Sequence, residues 1–298
     1  MLKNEELEIQ VMGGLGNQLH CFTAGLVAAN KLGLGLVVNY DRVMFGSNMN
    51  RRLEINQVSF PQLNNSLKYK KENNGRIKHK YELLRRNSKG ILPPIRITDD
   101  PDYVDSGLKV SEQLLLLPET TRSMGGSYID FEWADRAVHF GFPSELVPIK
   151  ASESYAKHLS RISDDSVALH VRLGDYLDLK DVFPIVNEEY YFEALDLLKI
   201  SEARPIHIFT DSPGYLRDLF PRLTKIKVVE VIDPKLIFKP VETMSLMSKY
   251  KNLISCNSTF SSWAAWFSAN KNVVTPVPHL KGNWVDRLPS HWHRISLT

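Results

Sequence analysis

The stretch VALHVRLGDY, residues 167–176, carries the clearest structural signal in the chain. Its apolar residues recur with a period of two, which predicts a β-strand that ends in a turn at Gly174. His170 and Arg172 then share one face at the carboxyl end of that strand, where ligands bind in open α/β sheets. A guanidinium group is costly to bury there unless an anion meets it. Either a protein carboxylate, with Asp175 the nearest in sequence, or a substrate phosphate fits this requirement.

Strands and helices alternate regularly from this stretch to the carboxyl terminus. The predicted strands are 167–172, 206–210, 226–232, 252–256 and 272–276, and the helices between them are 188–199, 213–220, 239–250 and 260–270. This alternation predicts a doubly wound parallel sheet with right-handed crossovers. The carboxyl ends of parallel strands share one edge, so we expect the polar residues that follow them to converge. These residues are Arg172 with Asp175, Thr210 with Asp211, and Asn257 with Ser258 and Thr259.

The last of these groups begins the helix in CNSTFSSWAAWF, residues 256–267. We predict Asn257 as its N-cap, with Ser258 and Thr259 in the first turn. The amides and hydroxyls of a first turn, together with the helix dipole, can bind an anion. Ordinary helix capping is the alternative. The aromatic residues that recur at helical spacing in this helix are expected mostly in the core.

The amino-terminal half opens with a predicted strand at 7–12, a glycine-rich turn, a helix at 19–33 and a second strand at 35–39. The turn is GGLGNQ at residues 13–18, and such a turn brings backbone amides close to an anion or a sugar. A tight structural turn explains the same pattern equally well. The dinucleotide-binding fingerprint is not met, because its third glycine would fall on Leu19.

Composition and charge are those of a globular protein, and the length suits two domains of ordinary size or one large one. The chain has 298 residues, of which 43% are hydrophobic and 24% charged. We predict domains at 1–160 and 161–298, beside the polar segment at 163–166. The net charge of +3 is too small to indicate nucleic-acid binding.

Cysteine usage and hydropathy predict a cytoplasmic protein. Cys21 and Cys256 lie far apart in apolar contexts, which indicates reduced, buried thiols. The first ten residues are charged and lack the apolar core of a signal peptide, and no segment is apolar enough to span a bilayer.

A basic stretch at residues 68–89 has nine Lys or Arg against two Glu. We interpret it as a solvated surface. A peripheral contact with anionic lipid or an acidic glycan is the second interpretation. Nucleic-acid binding comes third, since no aromatic residues are spaced for base stacking.

Asp100 and Asp102 form an Asp-x-Asp pattern that can hold a divalent cation on a nucleotide diphosphate. Asp-Pro-Asp is also a common turn sequence, and we favour the turn. A metal-dependent nucleotide-sugar transferase that uses these two carboxylates stays open as an alternative.

Three motifs, together with one shorter segment, resemble the bacterial α-1,2-fucosyltransferases of glycosyltransferase family 11. GGLGNQL at 13–19 is similar to the family's GGLGNQ(M/L), and HVRLGDY at 170–176 is similar to its H-x-R-R-G-D-Y. NSTFSSWAAW at 257–266 is similar to N-S-x-F-S-W-W-x-A-W, and FTDS at 209–212 to F-S-D-D. The resemblance therefore spans nearly the whole chain.

The resemblance implies a GT-B-like fold in which two Rossmann-like α/β domains face a cleft. It implies GDP-β-L-fucose as donor and an inverting transfer to the 2-hydroxyl of a galactoside, without a metal or other cofactor. The implied acceptor is a galactose-terminated oligosaccharide or lipid-linked glycan, as in O-antigen biosynthesis. The amino-terminal domain would be the acceptor side and the carboxyl-terminal domain the donor side.

The chain departs from the family pattern at three positions. Leu173 stands where the family has a second Arg, Ser212 where it has a second Asp, and Ser262 where it has the first Trp of a pair. One phosphate contact and one carboxylate contact to guanine are therefore expected to be missing. A catalytically silent protein that binds a sugar nucleotide or a glycan is a further alternative.

The proposed leaving group is a diphosphate, so negative charge develops on its β-phosphate as the glycosidic bond breaks. Arg172 and the helix N-terminus at Ser258 and Thr259 can stabilise that charge without a metal ion. The donor contacts that we predict are Gly14, Gly16, Asn17, His170, Arg172, Asp211, Asn257, Ser258, Thr259 and Phe260.

The general base is expected among three carboxylates. Inversion in one displacement requires a base for the acceptor hydroxyl. Asp175 belongs to the motif, and Asp178 and Asp181 follow it in the predicted loop. The sequence leaves all three open, and Asp175 has the alternative role of holding Arg172.

Overall fold

The computed structural model describes residues 5–40, 43, 52–63, 66–70, 101–201, 204–226, 229–232, 239–268, 272–282 and 286–297. The chain divides into two compact units: Met1–Ile55 with Phe60–Pro143, and Asn56–Ser59 with Ser144–Thr298.

The division falls before the boundary that we placed after residue 160, because the segment from Ser144 packs with the carboxyl-terminal unit. The buried carboxylate of Glu242 accepts hydrogen bonds from the backbone N–H of Ser152 at 2.7 Å and from its hydroxyl at 3.0 Å. The hydroxyl of Tyr155 lies 3.0 Å from that of Ser245. These buried polar contacts tie the helix at residues 153–159 to the second unit.

The amino-terminal unit is a parallel sheet with helices in its connections. Its elements are β1 (Glu6–Gln10), α1 (Leu15–Leu32), β2 (Gly35–Asn39), β3 (Lys68–Lys70), β4 (Tyr103–Val104), α2 (Val110–Leu116), β5 (Ser123–Gly125) and α3 (Phe131–Val138). The strand order is β3-β2-β1-β5-β4. Gly25 lets α1 pack closely on β1, because an added Cβ would lie 2.7 Å from Cβ of Ile9. Gly33 ends α1 in the left-handed conformation, with a φ of 68°.

The carboxyl-terminal unit is a six-stranded parallel sheet. Its elements are α4 (Glu153–Leu159), β6 (Val167–Val171), α5 (Glu188–Leu197), β7 (Ile206–Thr210), α6 (Pro213–Leu219), β8 (Val229–Ile232), α7 (Pro240–Met247), β9 (Asn252–Ile254), α8 (Thr259–Trp266), β10 (Asn272–Val277) and β11 (His293–Ser296). Every residue of β6 and β7 is buried, as the apolar sequence of central strands in a covered parallel sheet requires.

The strand order of this sheet is β11-β10-β9-β6-β7-β8. The chain builds β6, β7 and β8 outward and then returns to β9 beside β6, so the strand order reverses between β6 and β9. Such a reversal is where open α/β sheets bind their ligands. The predicted fold class, α/β with two Rossmann-like units, is confirmed, and β11 is a strand that the sequence did not predict.

Only the first part of the basic stretch belongs to the described residues. Lys68 forms an ion pair with Glu6, and Lys70 forms one with Glu8 at 2.9 Å. Residues 71–89 lie outside the described residues, and the membrane interpretation of the stretch stays a prediction. In the part of the chain that the structure describes, no helix is long and apolar enough to cross a membrane.

Candidate functional site

Arg172 lies directly after β6 and bridges two carboxylates. Its Nη2 donates to Oδ1 of Asp175 at 2.5 Å, and its Nη1 lies 2.7 Å from Oδ2 of Asp211. A fifth of the side chain is exposed. Burial lowers the pKa of Arg172, but Asp211 and Asp175 outweigh burial and raise the pKa above its ordinary value. The guanidinium is therefore charged, and it already forms ion pairs with two protein carboxylates.

Asp211 ties the end of β7 to the loop that follows β6. Its Oδ1 accepts from the N–H groups of Leu173 at 3.1 Å and Gly174 at 3.3 Å. A Cβ added to Gly174 would lie 2.2 Å from Oδ2 of Asp211, so only glycine fits beside this carboxylate. The structure thus brings together the polar groups that follow β6 and β7. The close approach of Asp211 also explains on steric grounds why position 174 is a glycine.

The three departures from the family motifs have structural roles here. Leu173 is 1% exposed and belongs to the apolar core of the carboxyl-terminal unit. The hydroxyl of Ser212 accepts from the Gly174 N–H at 3.1 Å, and the hydroxyl of Ser262 donates to the carbonyl of Ser258 at 3.0 Å. Leu173 therefore offers no charged contact to a phosphate.

Ser258, not Asn257, is the N-cap of α8, and this corrects the sequence prediction. The Ser258 hydroxyl accepts from the N–H of Phe260 at 3.4 Å. Nδ2 of Asn257 donates instead to the carbonyls of Pro184 at 2.8 Å and His279 at 3.2 Å, so this amide holds two loops and the next residue caps the helix. Within the described part of the chain, the buried Oδ1 of Asn257 has no hydrogen-bond partner.

Thr259 lies in the first turn of α8, as predicted, together with Phe260, and both side chains are partly exposed. The amides and the dipole of a helix N-terminus can bind an anion, and the role of these two residues in donor binding stays a prediction. Trp263 and Phe267 are buried, in agreement with the expected core role of the aromatic residues.

The loop after the HVRLGDY motif is attached to the N-terminus of α8. The Tyr176 hydroxyl donates to the carbonyl of Asn257 at 3.0 Å, and the Tyr176 ring stacks on Phe183 with a centroid distance of 4.1 Å. Asp178 and Asp181 are exposed in this loop, whereas Asp175 is mostly buried against Arg172. Tyr176 belongs to the HVRLGDY motif, but neither of these contacts was predicted from the sequence.

His170 is joined to Cys256 across the point where the strand order reverses. Nδ1 of His170 lies 3.1 Å from Sγ of Cys256, and the His170 ring lies 5.8 Å from that of Phe260. Burial lowers the pKa of His170 to about 4 and raises that of Cys256 to about 12, so both side chains are neutral at pH 7. Both cysteines of the chain are buried and free, as predicted, but the contact between Cys256 and His170 was not foreseen.

The GGLGNQ turn belongs to the amino-terminal unit and is built as a tight structural turn. Gly13 has a φ of +68°, and an added Cβ would lie 2.6 Å from Nδ2 of Asn17. Gly14 is the N-cap of α1, and Gly16 is buried in its first turn. The N–H of Leu15, the first of α1, donates to a carboxylate oxygen of Glu54 at 3.0 Å. The assignment of Gly14, Gly16 and Asn17 to the donor stays a prediction.

Gln18 joins the GGLGNQ turn to the backbone of residues 52–55. Its Nε2 donates to the carbonyls of Gly13 and Arg52, each at 2.9 Å. Its Oε1 accepts from the N–H groups of Glu54 at 2.9 Å and Ile55 at 3.1 Å. All of these groups are backbone groups, so the last residue of the GGLGNQ motif has a structural role.

Asp102 has a structural role that differs from the predicted turn. Its Oδ2 accepts from the backbone N–H groups of Arg122 at 2.7 Å and Ser123 at 2.9 Å, which lie 20 and 21 residues further along the chain. Asp100 lies outside the described residues. Among the residues that the structure describes, no three His, Cys, Asp or Glu side chains are grouped so as to hold a metal ion.

The carboxyl-terminal part of the chain is similar to a known family of glycosyltransferases. The profile of Glycosyl transferase family 11 matches residues 150–283, which include Arg172, Asp211 and the other residues described above at the carboxyl edge of the second sheet. The match confirms the resemblance to this family that the motifs indicated.

Two curated relatives come from Escherichia coli. The O-antigen biosynthesis glycosyltransferase WbnK is 24% identical over an aligned length of 289 residues, and the match covers 91% of this chain and 94% of that protein. An alpha-1,2-colitosyltransferase is 30% identical over an aligned length of 155 residues, and the match covers 47% of this chain and 51% of that protein. Among solved structures, the fucosyltransferase NodZ from Bradyrhizobium is 13% identical, with 89% of this chain and 92% of that chain covered and a TM-score of 0.49.

Proposed function

We propose that this chain is an inverting, metal-independent glycosyltransferase that moves L-fucose from GDP-β-L-fucose to the 2-hydroxyl of a galactoside. The observation that carries the proposal is Arg172, held between Asp175 and Asp211 where the strand order of a family 11 unit reverses. The names of the two relatives support a nucleotide-sugar donor and a glycan acceptor. In this proposal the enzyme acts in the cytoplasm on a free or lipid-linked oligosaccharide, as in O-antigen assembly.

The proposed chemistry needs positive charge at the β-phosphate. Arg172 supplies a full charge in a two-pronged geometry, and the N-terminus of α8 supplies a partial one. Before the donor binds, Asp175 and Asp211 hold the guanidinium in position. When a phosphate takes one edge of Arg172, Asp211 retains the N–H groups of Leu173 and Gly174. In this proposal a bound phosphate therefore does not leave Asp211 without hydrogen-bond donors.

We propose Asp175 as the general base for the acceptor hydroxyl. Movement of Arg172 toward a phosphate weakens its ion pair with Asp175, and the released carboxylate can accept a proton. Asp178 and Asp181 are exposed nearby in the same loop and serve as comparison positions. Of the three Asp→Asn variants, D175N is expected to lose kcat while its affinity for GDP stays near that of the wild type. A kcat loss confined to D178N or D181N would transfer the role to that residue.

Donor class is tested by calorimetry with GDP, UDP and ADP. We expect selective binding of GDP, and equal affinities for the three nucleotides would overturn the donor assignment. An acceptor array with GDP-fucose, with the linkage of the product determined by NMR, then identifies the acceptor. Hydrolysis of GDP-fucose in the absence of acceptor would argue against a catalytically silent binding protein.

Metal independence is tested by chelation. With Arg172 and the N-terminus of α8 in the place of an ion, saturating EDTA should leave the rate essentially intact. The double variant D100A/D102A should keep turnover near normal, after correction for any loss of folded protein, because Asp102 binds backbone N–H groups. A large loss on chelation that Mg²⁺ or Mn²⁺ restores would favour the metal-dependent mechanism.

A colitosyl donor is the second candidate, and the 30% identity to an alpha-1,2-colitosyltransferase favours it. Competition between fucosyl and colitosyl nucleotides in one reaction distinguishes the two donors. Preferred transfer of the colitosyl group would keep the transferase class and change the donor sugar.

A further inference from the structure

We propose that the buried thiol of Cys256 donates its hydrogen to Nδ1 of His170 and so fixes the imidazole as the tautomer protonated at Nε2. His170 is thereby an uncharged hydrogen-bond donor at the carboxyl edge of the sheet, and Cys256 is its positioning residue. The use of that donor on a sugar nucleotide rests on the proposed function. The tautomer itself does not.

The contact between the two side chains is short and closed to water. Sγ of Cys256 lies 3.1 Å from Nδ1 of His170, and the residues are 0% and 6% exposed. Burial disfavours the charged form of both groups, which lowers the pKa of His170 to about 4 and raises that of Cys256 to about 12. At pH 7 the pair therefore holds one hydrogen on sulfur and one on the ring.

Two arrangements of these hydrogens are possible, and hydrogen-bond chemistry distinguishes them. In the first, the S–H group donates to Nδ1, and the unprotonated nitrogen of a neutral imidazole is a good acceptor. In the second, Nδ1–H donates to sulfur, which is a weak acceptor, and the thiol must turn to another group. The hydroxyl of Ser261 is 3.7 Å away, and it already accepts from the Cys256 N–H at 3.4 Å. The first arrangement satisfies both side chains better.

The charged groups around His170 leave this neutral state in place. Asp211, after β7, raises the pKa of His170, and Arg172, after β6, lowers it, but burial is the largest influence. The ring of Phe260 contributes no charge, and the Tyr191 hydroxyl donates to the backbone carbonyl of His170 rather than to its ring. A neutral Nε2–H can donate to a phosphate or hydroxyl oxygen without competing with Arg172 for Asp211.

The tautomer is measured by two-bond ¹H–¹⁵N correlation spectra of protein labelled with [¹⁵N]histidine. The His170 signals are assigned by their loss in H170Q. We expect the wild type to show a protonated Nε2 and an unprotonated Nδ1, C256A to show a mixture of tautomers, and C256S to keep the wild-type form because its hydroxyl also donates. Cys21 gives the matched control, since it is buried in the other unit with its Sγ 3.3 Å from the carbonyl of Gly126. C21A should leave the His170 signals unchanged.

A protonated Nδ1 in the wild type, or a C256A spectrum that matches the wild type, would overturn the proposal. If C256A does not fold, the wild-type and C256S spectra decide it alone. Calorimetry with GDP tests the functional half: C256A should bind about fivefold more weakly, on the scale of one hydrogen bond, and C256S should recover this. Mixed tautomers in C256A with unchanged GDP affinity would remove His170 from the donor contacts. Absence of GDP binding by the wild type would reject the proposed function but leave the spectroscopic result standing.

Discussion

Replacement of Arg172 by alanine is expected to destabilise the carboxyl-terminal unit. The guanidinium joins Asp175 at 2.5 Å and Asp211 at 2.7 Å, with a fifth of the side chain exposed. Removal of one partner from a buried ion pair costs about 3–5 kcal/mol. Partial exposure and the two backbone N–H groups that still bind Asp211 reduce this cost to about 2 kcal/mol. For a unit of this size the loss corresponds to a decrease in Tm of roughly 4–8 °C.

GDP distinguishes a phosphate role from this structural one. In the wild type, GDP at about 100 times its Kd should stabilise the folded state by about 2.7 kcal/mol. Arg172→Ala should lose most of that gain and about two to three orders of magnitude in kcat, the scale for one preorganised donor. Arg172→Lys should recover only part, since a point charge cannot contact both carboxylates or a phosphate in the same bidentate way.

The matched control for this measurement is Arg204→Ala. Arg204 pairs with Asp165 at 3.1 Å in the same unit, and both side chains are exposed by 41% or more. We expect a loss below about 1 kcal/mol and an unchanged response to GDP. If Arg172→Ala melts lower but gains as much stability from GDP as the wild type, Arg172 is only a structural partner of the two carboxylates, and our reasoning about the phosphate is wrong.

Two further predictions concern the same strand ends. Gly174→Ala should lose about 2 kcal/mol of stability, measured by urea titration, because its Cβ would lie 2.2 Å from Asp211. The control Gly214→Ala, whose Cβ would have nothing within 4 Å, should be neutral or slightly stabilising. Equal stabilities of the two variants would disprove the steric argument. His170 has a pKa of about 4 in the folded state and 6.5 in the unfolded chain, so the unfolded chain takes up the proton at a higher pH than the folded protein does. The free energy of unfolding should therefore fall by up to roughly 3 kcal/mol as pH decreases from about 6.5 to 4. Urea midpoints across that range should depend less on pH in His170→Gln than in the wild type or in His291→Gln, whose side chain is exposed; parallel curves for all three would contradict the assignment.

Much of the fold was predictable because its signals are local. The strand IHIFT at 206–210 and the strand GLVVN at 35–39 are found with the predicted limits, since continuous apolar runs beside turn residues define buried strands. The alternation of strands and helices was enough to predict a parallel, doubly wound sheet. Boundaries that depend on caps were less certain: α1 begins at Leu15 rather than four residues later, because Gly14 serves as its N-cap.

By itself, the sequence determined the class of the fold, the family motifs and the edge of the sheet at which the polar groups would meet. The tertiary structure alone decided which of those groups touch. The return of β9 to the side of β6 brings Cys256 to His170, 86 residues away, and the pairing of β6 with β7 brings Asp211 to Gly174. Local propensity contains no information about such contacts, because they depend on strand order and register. For the same reason Asn257 could be predicted as a cap from its neighbours, although its amide instead binds two loops that only the folded chain places beside it.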